Sequence, residues 1–288
     1  MKPVLLPRSL EELWLCLEDA PSALLYAGGT DVLVKVRKGL EGVPGYICLE
    51  RIDELRGVVD LGESIRIGAT TTHAHLLDNP LVGEHLGVLH QAIHDLGSPL
   101  IRAMGTIGGN LVTASPAGDT LPPLFVLQAE VELASRRATR TMPIRDFIQG
   151  PGLTALQQGE IVKAVCVRKP RGRTIHHFEK VGHRNALACS LASIAALLWI
   201  SDAGIVEQVA LAWGSVGPGI VVVPEAEQIL VGRRLTRDAL EAAAVTVRAT
   251  VAPIDDVRAS ADYRRMVAGN LLLRLSERLP AASCQFQL

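Results

Sequence analysis

Apolar and polar positions along the chain switch between two periods, and the switches mark the elements. SLEELWLCLEDA, residues 9–20, is amphipathic and opens with Ser9 three residues before Glu12, a capping box at the start of a helix. The apolar run ALLY, 23–26, predicts a strand leading into Gly28-Gly29. DVLVKVRKGL, 31–40, then resumes helical spacing at Leu33, Val36 and Leu40. GVVDLGESIRIGAT, 57–70, sets apolar runs on either side of Gly62, with alternation at Ile65 and Ile67, and predicts a hairpin. From Thr72 to Leu96 the positions Leu86, Leu89, Ile93 and Leu96 recur at helical spacing, and Gly97 is placed to stop that helix. TIGGN, 106–110, reads as a glycine turn after an apolar strand. DTLPPLFVLQ, 119–128, reads as a short helix with prolines in its first turn, and AEVELAS, 129–135, as a strand.

The basic stretch RKPRGR, 168–173, carries proline and glycine and is the expected boundary between two domains. Residues 1–170 would form the first, in two lobes of about 1–55 and 56–170, and residues 171–288 the second. In the second, strands are expected within 176–200 and 206–216, and a helix within 225–235. Two amphipathic helices should close the chain, with Thr236 and Ser260 as caps. A length of 288 residues fits two domains.

Composition narrows the class. With 48% apolar and 20% charged residues the chain has ample material for buried cores. A net charge of −1 sets up no general field for nucleic acid or anionic membrane, so an anion must be bound locally. The five cysteines are scattered without a C-x-x-C pair, which argues against a disulfide framework or a metal cluster within this chain and fits a reduced cytoplasm. The longest apolar run, 186–200, is shorter than the ~20 residues of a membrane helix and reads as core. MKPVLLPRSLEELW carries charge where a secretory signal would be apolar.

The candidate chemistry lies in two glycine pairs, AGGTD at 27–31 and TIGGN at 106–110. A glycine pair lets backbone N–H groups converge on an anion because no Cβ blocks the approach. Thr30, Thr106 and Asn110 add side-chain donors, so together the pairs could cradle a pyrophosphate, as in a dinucleotide. Either pair alone reads first as a plain tight turn, since glycine dipeptides are common turn punctuation. Neither G-x-G-x-x-G nor G-x-x-x-x-G-K-[ST] occurs. His90 and His94 stand four apart, but Gln91 occupies the place where a zinc protease needs glutamate; a solvated helix face is the expected reading. There is no nucleophile elbow of the G-x-S-x-G type.

AGGTD, IGATTT, RAMGTIGGNLVTASPAGDTLPPL, HFEKVGHRNALA and SADYRRMVAGNLLLRL occur in an order and spacing that resemble the FAD-binding medium subunit of the molybdenum hydroxylases, the family of xanthine and carbon monoxide dehydrogenases. The resemblance spans about Leu24 to Leu279. It implies an α+β fold: a two-lobed FAD-binding domain of the vanillyl-alcohol oxidase and p-cresol methylhydroxylase type, then a smaller α+β domain with a three-stranded sheet. It implies that Ala27, Gly28, Gly29, Thr30 and Asp31 hold the pyrophosphate of a non-covalent FAD from one side and Thr106, Ile107, Gly108, Gly109 and Asn110 from the other. Asp119 would bond polar parts of the cofactor, Leu96 and Val162 would touch the flavin, and Lys180 would approach the isoalloxazine. Read locally, Asp119 is also a candidate N-cap for a helix starting at Thr120, and Lys180 a solvated strand-end lysine.

The same resemblance implies partners: a large molybdopterin-binding subunit and a small subunit with two [2Fe–2S] clusters, paired as a dimer of heterotrimers, with NAD or another final acceptor. No catalytic residue and no metal ligand is expected in this chain. The clustered cysteines of relatives that carry an added [4Fe–4S] loop are absent. A stand-alone flavin oxidoreductase and a flavin-free assembly subunit stay open as alternatives.

Overall fold

The computed structural model describes residues 2–39, 42–184 and 187–278. Leu40, Asn185, Ala186 and Leu279, which figured in the sequence reading, lie outside the described residues.

The chain starts with β1 (Val4–Leu5), α1 (Leu10–Asp19), β2 (Leu24–Tyr26), α2 (Val32–Arg37) and β3 (Tyr46–Cys48). Ser9 caps α1 by accepting from the Glu12 amide, as the capping box requires. The three strands form a parallel sheet in the order β1-β3-β2, and Leu13, Ile47, Ile52 and Leu55 make its core. α2 has no buried residue. Leu33, at one of the helically spaced positions, is exposed.

Next come β4 (Val58–Asp60), β5 (Ser64–Gly68), α3 (His73–Leu77), α4 (Pro80–His85), α5 (Gly87–Asp95), α6 (Pro99–Met104), α7 (Ile107–Thr113), α8 (Leu121–Val126), β6 (Glu130–Ala134), β7 (Thr139–Pro143), α9 (Ile144–Phe147), β8 (Ile148–Gly150), β9 (Leu153–Thr154) and β10 (Ile161–Arg168). β4 and β5 are the expected hairpin. The single helix predicted over 72–96 is three helices. Asn79 caps α4 at Pro80, which has no N–H to continue the preceding turn, and α5 begins afresh at Gly87. A five-stranded antiparallel sheet, β4-β5-β10-β6-β7, carries the helices on one face.

The remainder holds β11 (Thr174–Val181), β12 (Ala192–Ile200), β13 (Val206–Gly214), α10 (Pro224–Leu230), α11 (Arg237–Thr250) and α12 (Ala261–Leu273). β11-β12-β13 is an antiparallel sheet, and Thr236 and Ser260 cap α11 and α12 as expected. The fold is thus α+β, a two-lobed unit followed by a smaller one with a three-stranded sheet. β12 is apolar except at Ser193, because both of its faces are covered. Ala195 and Leu197 join the core of the preceding helices, whereas Ile194, Ala196 and Leu198 join that of α10–α12.

Candidate functional site

A cavity of about 420 Å³ opens between the small parallel sheet and the five-stranded sheet. Its floor and walls come from the two glycine loops, together with Leu96, Ile101, Ile161 and Val162.

The first loop leaves β2 and turns into α2. Gly29 takes φ +70°, which a side chain disfavours. Ala27, Gly28, Gly29, Thr30 and Asp31 all line the cavity. Among the described residues, the amides of Gly28, Gly29, Thr30 and Asp31 have no protein acceptor. The Asp31 carboxylate is held by Lys35 at 2.7 Å and by the Thr113 hydroxyl.

The second loop is built differently. TIGGN is not a turn after a strand: it follows α6 and forms the first turn of α7, capped by Thr106. The amides expected to meet an anion are already engaged. Ile107 donates to Thr71 O at 3.1 Å, Gly108 to Ala69 O at 2.8 Å, Gly109 to Thr106 Oγ1 at 3.1 Å and Asn110 to Thr106 O at 3.0 Å. Gly108 is there because the helix sits on the end of β5; a Cβ would lie 2.6 Å from Ala69 Cβ. Thr106, Gly108, Gly109 and Asn110 line the cavity, whereas Ile107 is fully buried in the core. The first loop touches the end of α6 directly, since a Cβ on Gly28 would overlap the Met104 carbonyl.

Asn110 links the cavity to a buried polar cluster. Its Oδ1 accepts from Thr120 Oγ1 at 2.6 Å, which leaves Nδ2 as a free donor. Between Gly118 and Thr120, Asp119 accepts from Lys180 Nζ at 2.6 Å and from Ser190 Oγ at 2.6 Å. Burial pushes the Asp119 carboxyl up, and Lys180 and Ser190 pull it back. Asp119 is not the helix cap; Thr120 takes the N-cap position of α8, without a side-chain cap bond, and the carboxylate faces Lys180 instead. Lys180 is not solvated either, with 8% of its side chain exposed. The pair stands behind Asn110 rather than on the cavity wall.

Three wall residues were missed as site residues. His73 follows β5, is 2% exposed, and its Nδ1 has no partner among the described residues. Burial, with Arg102 adding, lowers its pKa to about 4, so the ring is neutral. Tyr26 is pushed up to about 12 by burial and then by Cys48, and stays a neutral phenol. Glu160 is fixed by both nitrogens of the Arg140 fork, which hold it below the ordinary carboxylate range. No periodicity marks these positions; only the spatial closure of strand ends does. His90 bonds Leu77 O through Nε2 and His94 meets Asp95, and no metal-binding group of acids, histidines and cysteines occurs among the described residues.

The cavity therefore offers a row of free backbone donors, a carboxamide donor and apolar walls. The residues fit a nucleotide-bearing cofactor with a pyrophosphate and a flat apolar ring system.

Comparison with known proteins agrees. Residues 1–170 match the FAD binding domain in molybdopterin dehydrogenase, and residues 177–279 match the CO dehydrogenase flavoprotein C-terminal domain. The chain is 33% identical to the nicotinate dehydrogenase FAD-subunit of Eubacterium barkeri, over 90% of this chain and 89% of that one. It is 31% identical to the xanthine dehydrogenase FAD-binding subunit of Escherichia coli O157:H7, over 94% of both chains. Among solved structures, reconstituted CO dehydrogenase from Oligotropha carboxidovorans superposes with a TM-score of 0.91 at 28% identity, covering 96% of this chain and 97% of that chain.

Proposed function

The chain belongs to the family of FAD-binding medium subunits of the molybdenum hydroxylases, which are subunits of oxidoreductases, and from that premise we propose that it is the flavin-carrying electron relay of such an enzyme. One observation carries the reading: four backbone amides without an acceptor among the described residues, at Gly28, Gly29, Thr30 and Asp31, line a cavity shared with the Asn110 carboxamide. Bound non-covalently there, FAD supplies conversion between one- and two-electron transfer.

Ala27 to Asp31 donate to the pyrophosphate, while Thr106, Gly108, Gly109 and Asn110 close the opposite side, with Ile107 anchoring that side in the core. Leu96 and Val162 supply the apolar surface for the ring and exclude water from it. Lys180 and Asp119, a compensated pair behind Asn110, set the charge near the ring. The cavity's own acids are committed elsewhere, Asp31 to Lys35 and Glu160 to Arg140, and His73 is a weak base. That supports a subunit that moves electrons and leaves substrate chemistry to a partner.

In this reading a large molybdopterin-binding partner oxidises the substrate and a small [2Fe–2S] partner hands single electrons to this chain. NAD or another acceptor removes them, and the assembly is a cytoplasmic dimer of heterotrimers. The chain's two units are a FAD-binding domain, 1–170, and a flavoprotein C-terminal domain from residue 171. No helix among the described residues is long and apolar enough to cross a membrane.

The test is an absorption spectrum of the chain purified from its host, with acid release of the cofactor and mass analysis of what co-purifies. Releasable FAD with a large and a small iron–sulfur partner is the expected result. A colourless protein that takes up no added FAD overturns the reading, and complete substrate turnover by this chain alone makes it a self-sufficient oxidoreductase instead.

A further inference from the structure

β11 is an edge strand of its sheet, pairing with β12 on one side only. An unpaired strand edge needs partners for its backbone groups. Here one side chain from another element supplies two of them. Gln91, on α5, donates from Nε2 to His176 O at 3.1 Å and accepts from the Phe178 amide at 2.8 Å through Oε1. The carboxamide thus occupies the edge as one residue of a neighbouring strand would. A second contact fixes the same point, because the Val88 amide donates to His176 Nδ1 at 3.2 Å.

The consequence runs along the strand by its period of two. On one face, His176 packs at Gly87, Phe178 enters the core beneath α5, and Lys180 reaches Asp119. On the other face, Ile175 and Val181 pack against the core of the C-terminal helices, and Glu179 meets Arg274. A slip of one residue would exchange the two faces and carry Lys180 away from Asp119. Shape alone guards weakly against such a slip, since both faces are largely covered. The two bonds from Gln91 are specific for residues 176 and 178.

We propose that Gln91 is a positioning residue, whose carboxamide fixes the register of β11 on α5 and thereby holds Lys180 against Asp119 behind the cofactor cavity. For what Lys180 then does to the flavin, the inference rests on the function proposed above. The placement itself does not depend on it.

The experiment uses the full chain in Gln91→Met, which keeps the side chain's length and removes both bonds, and in Gln91→Glu, which keeps only the acceptor. Hydrogen exchange of the Phe178 amide and acetylation of Lys180 by acetic anhydride are read in both, with Lys163 as the internal control. Gln91→Met should speed Phe178 exchange about tenfold, the scale of one lost hydrogen bond, and expose Lys180 to acetylation while Lys163 stays as in the parent. Gln91→Glu should disturb Phe178 less, and it carries the test if the methionine variant does not fold. Unchanged exchange and unchanged Lys180 labelling overturn the proposal, as does labelling that rises equally at Lys180 and Lys163, which is general loosening.

The flavin midpoint potential is then measured in the FAD-loaded Gln91→Met and Lys180→Met chains. It should move in the same direction in both. A potential that stays put in Lys180→Met removes the functional role given to Lys180, and leaves the clamp to be decided by exchange and labelling.

Discussion

The two glycine loops look alike in sequence and do different work. AGGTD leaves a strand and presents amides that no described residue bonds. TIGGN starts a helix and uses its amides internally, on Thr71, Ala69 and Thr106. In the first loop glycine leaves the backbone open to a ligand and lets it touch α6. In the second, glycine lets a helix start settle on a strand end. One motif type thus leaves amides open in one place and allows close packing in the other.

The largest effect should come where the first loop meets α6. Gly28→Ala places a methyl group on the Met104 carbonyl, and backbone cannot yield as a side-chain tip can. A loss of about 3 kcal/mol or more is expected, seen as a drop in melting temperature together with loss of bound FAD.

Gly108→Ala should cost about 2 kcal/mol through its clash with Ala69. Adding Ala69→Gly should restore only the share due to the two methyl groups, because the new Cβ would still lie 2.7 Å from the Ala69 carbonyl oxygen. If this loop only packs, the rescued protein binds FAD like the parent in a titration. Weaker binding after rescue would break the comparison.

His73 sharpens it through pH. Its folded pKa, about 4, lies below its ordinary value of 6.5, so between those values the unfolded chain binds more protons. Stability from this group is complete above about 6.5 and is lost as pH falls toward 4, by about 3 kcal/mol in total. Denaturant titrations at stepped pH should show that slope, and His73→Phe should flatten it.

Gly29→Ala is the smallest. The strained φ costs about 1 kcal/mol, but the displaced amide should weaken FAD binding about tenfold, a larger share of binding than of stability. Equal losses of stability and binding would mean that the first loop, too, is chiefly a packing element.

Local chemistry is what the sequence determines here. The Ser9, Thr236 and Ser260 caps, the hairpin around Gly62 and the apolar run that becomes β12 all follow from neighbours in the chain. The ordered motifs carry the family, and with it the α+β fold, because several specific segments in one order rarely coincide. Tertiary structure decided what depends on distant partners. One helical period over 72–96 became three helices once Pro80 and Gly87 were free to pack separately. Lys180 reads as solvated until the fold brings Asp119, 61 residues earlier, to 2.6 Å. Whether a backbone amide is free or taken is set by the acceptor that another strand end places beside it, and neither spacing nor composition records that acceptor.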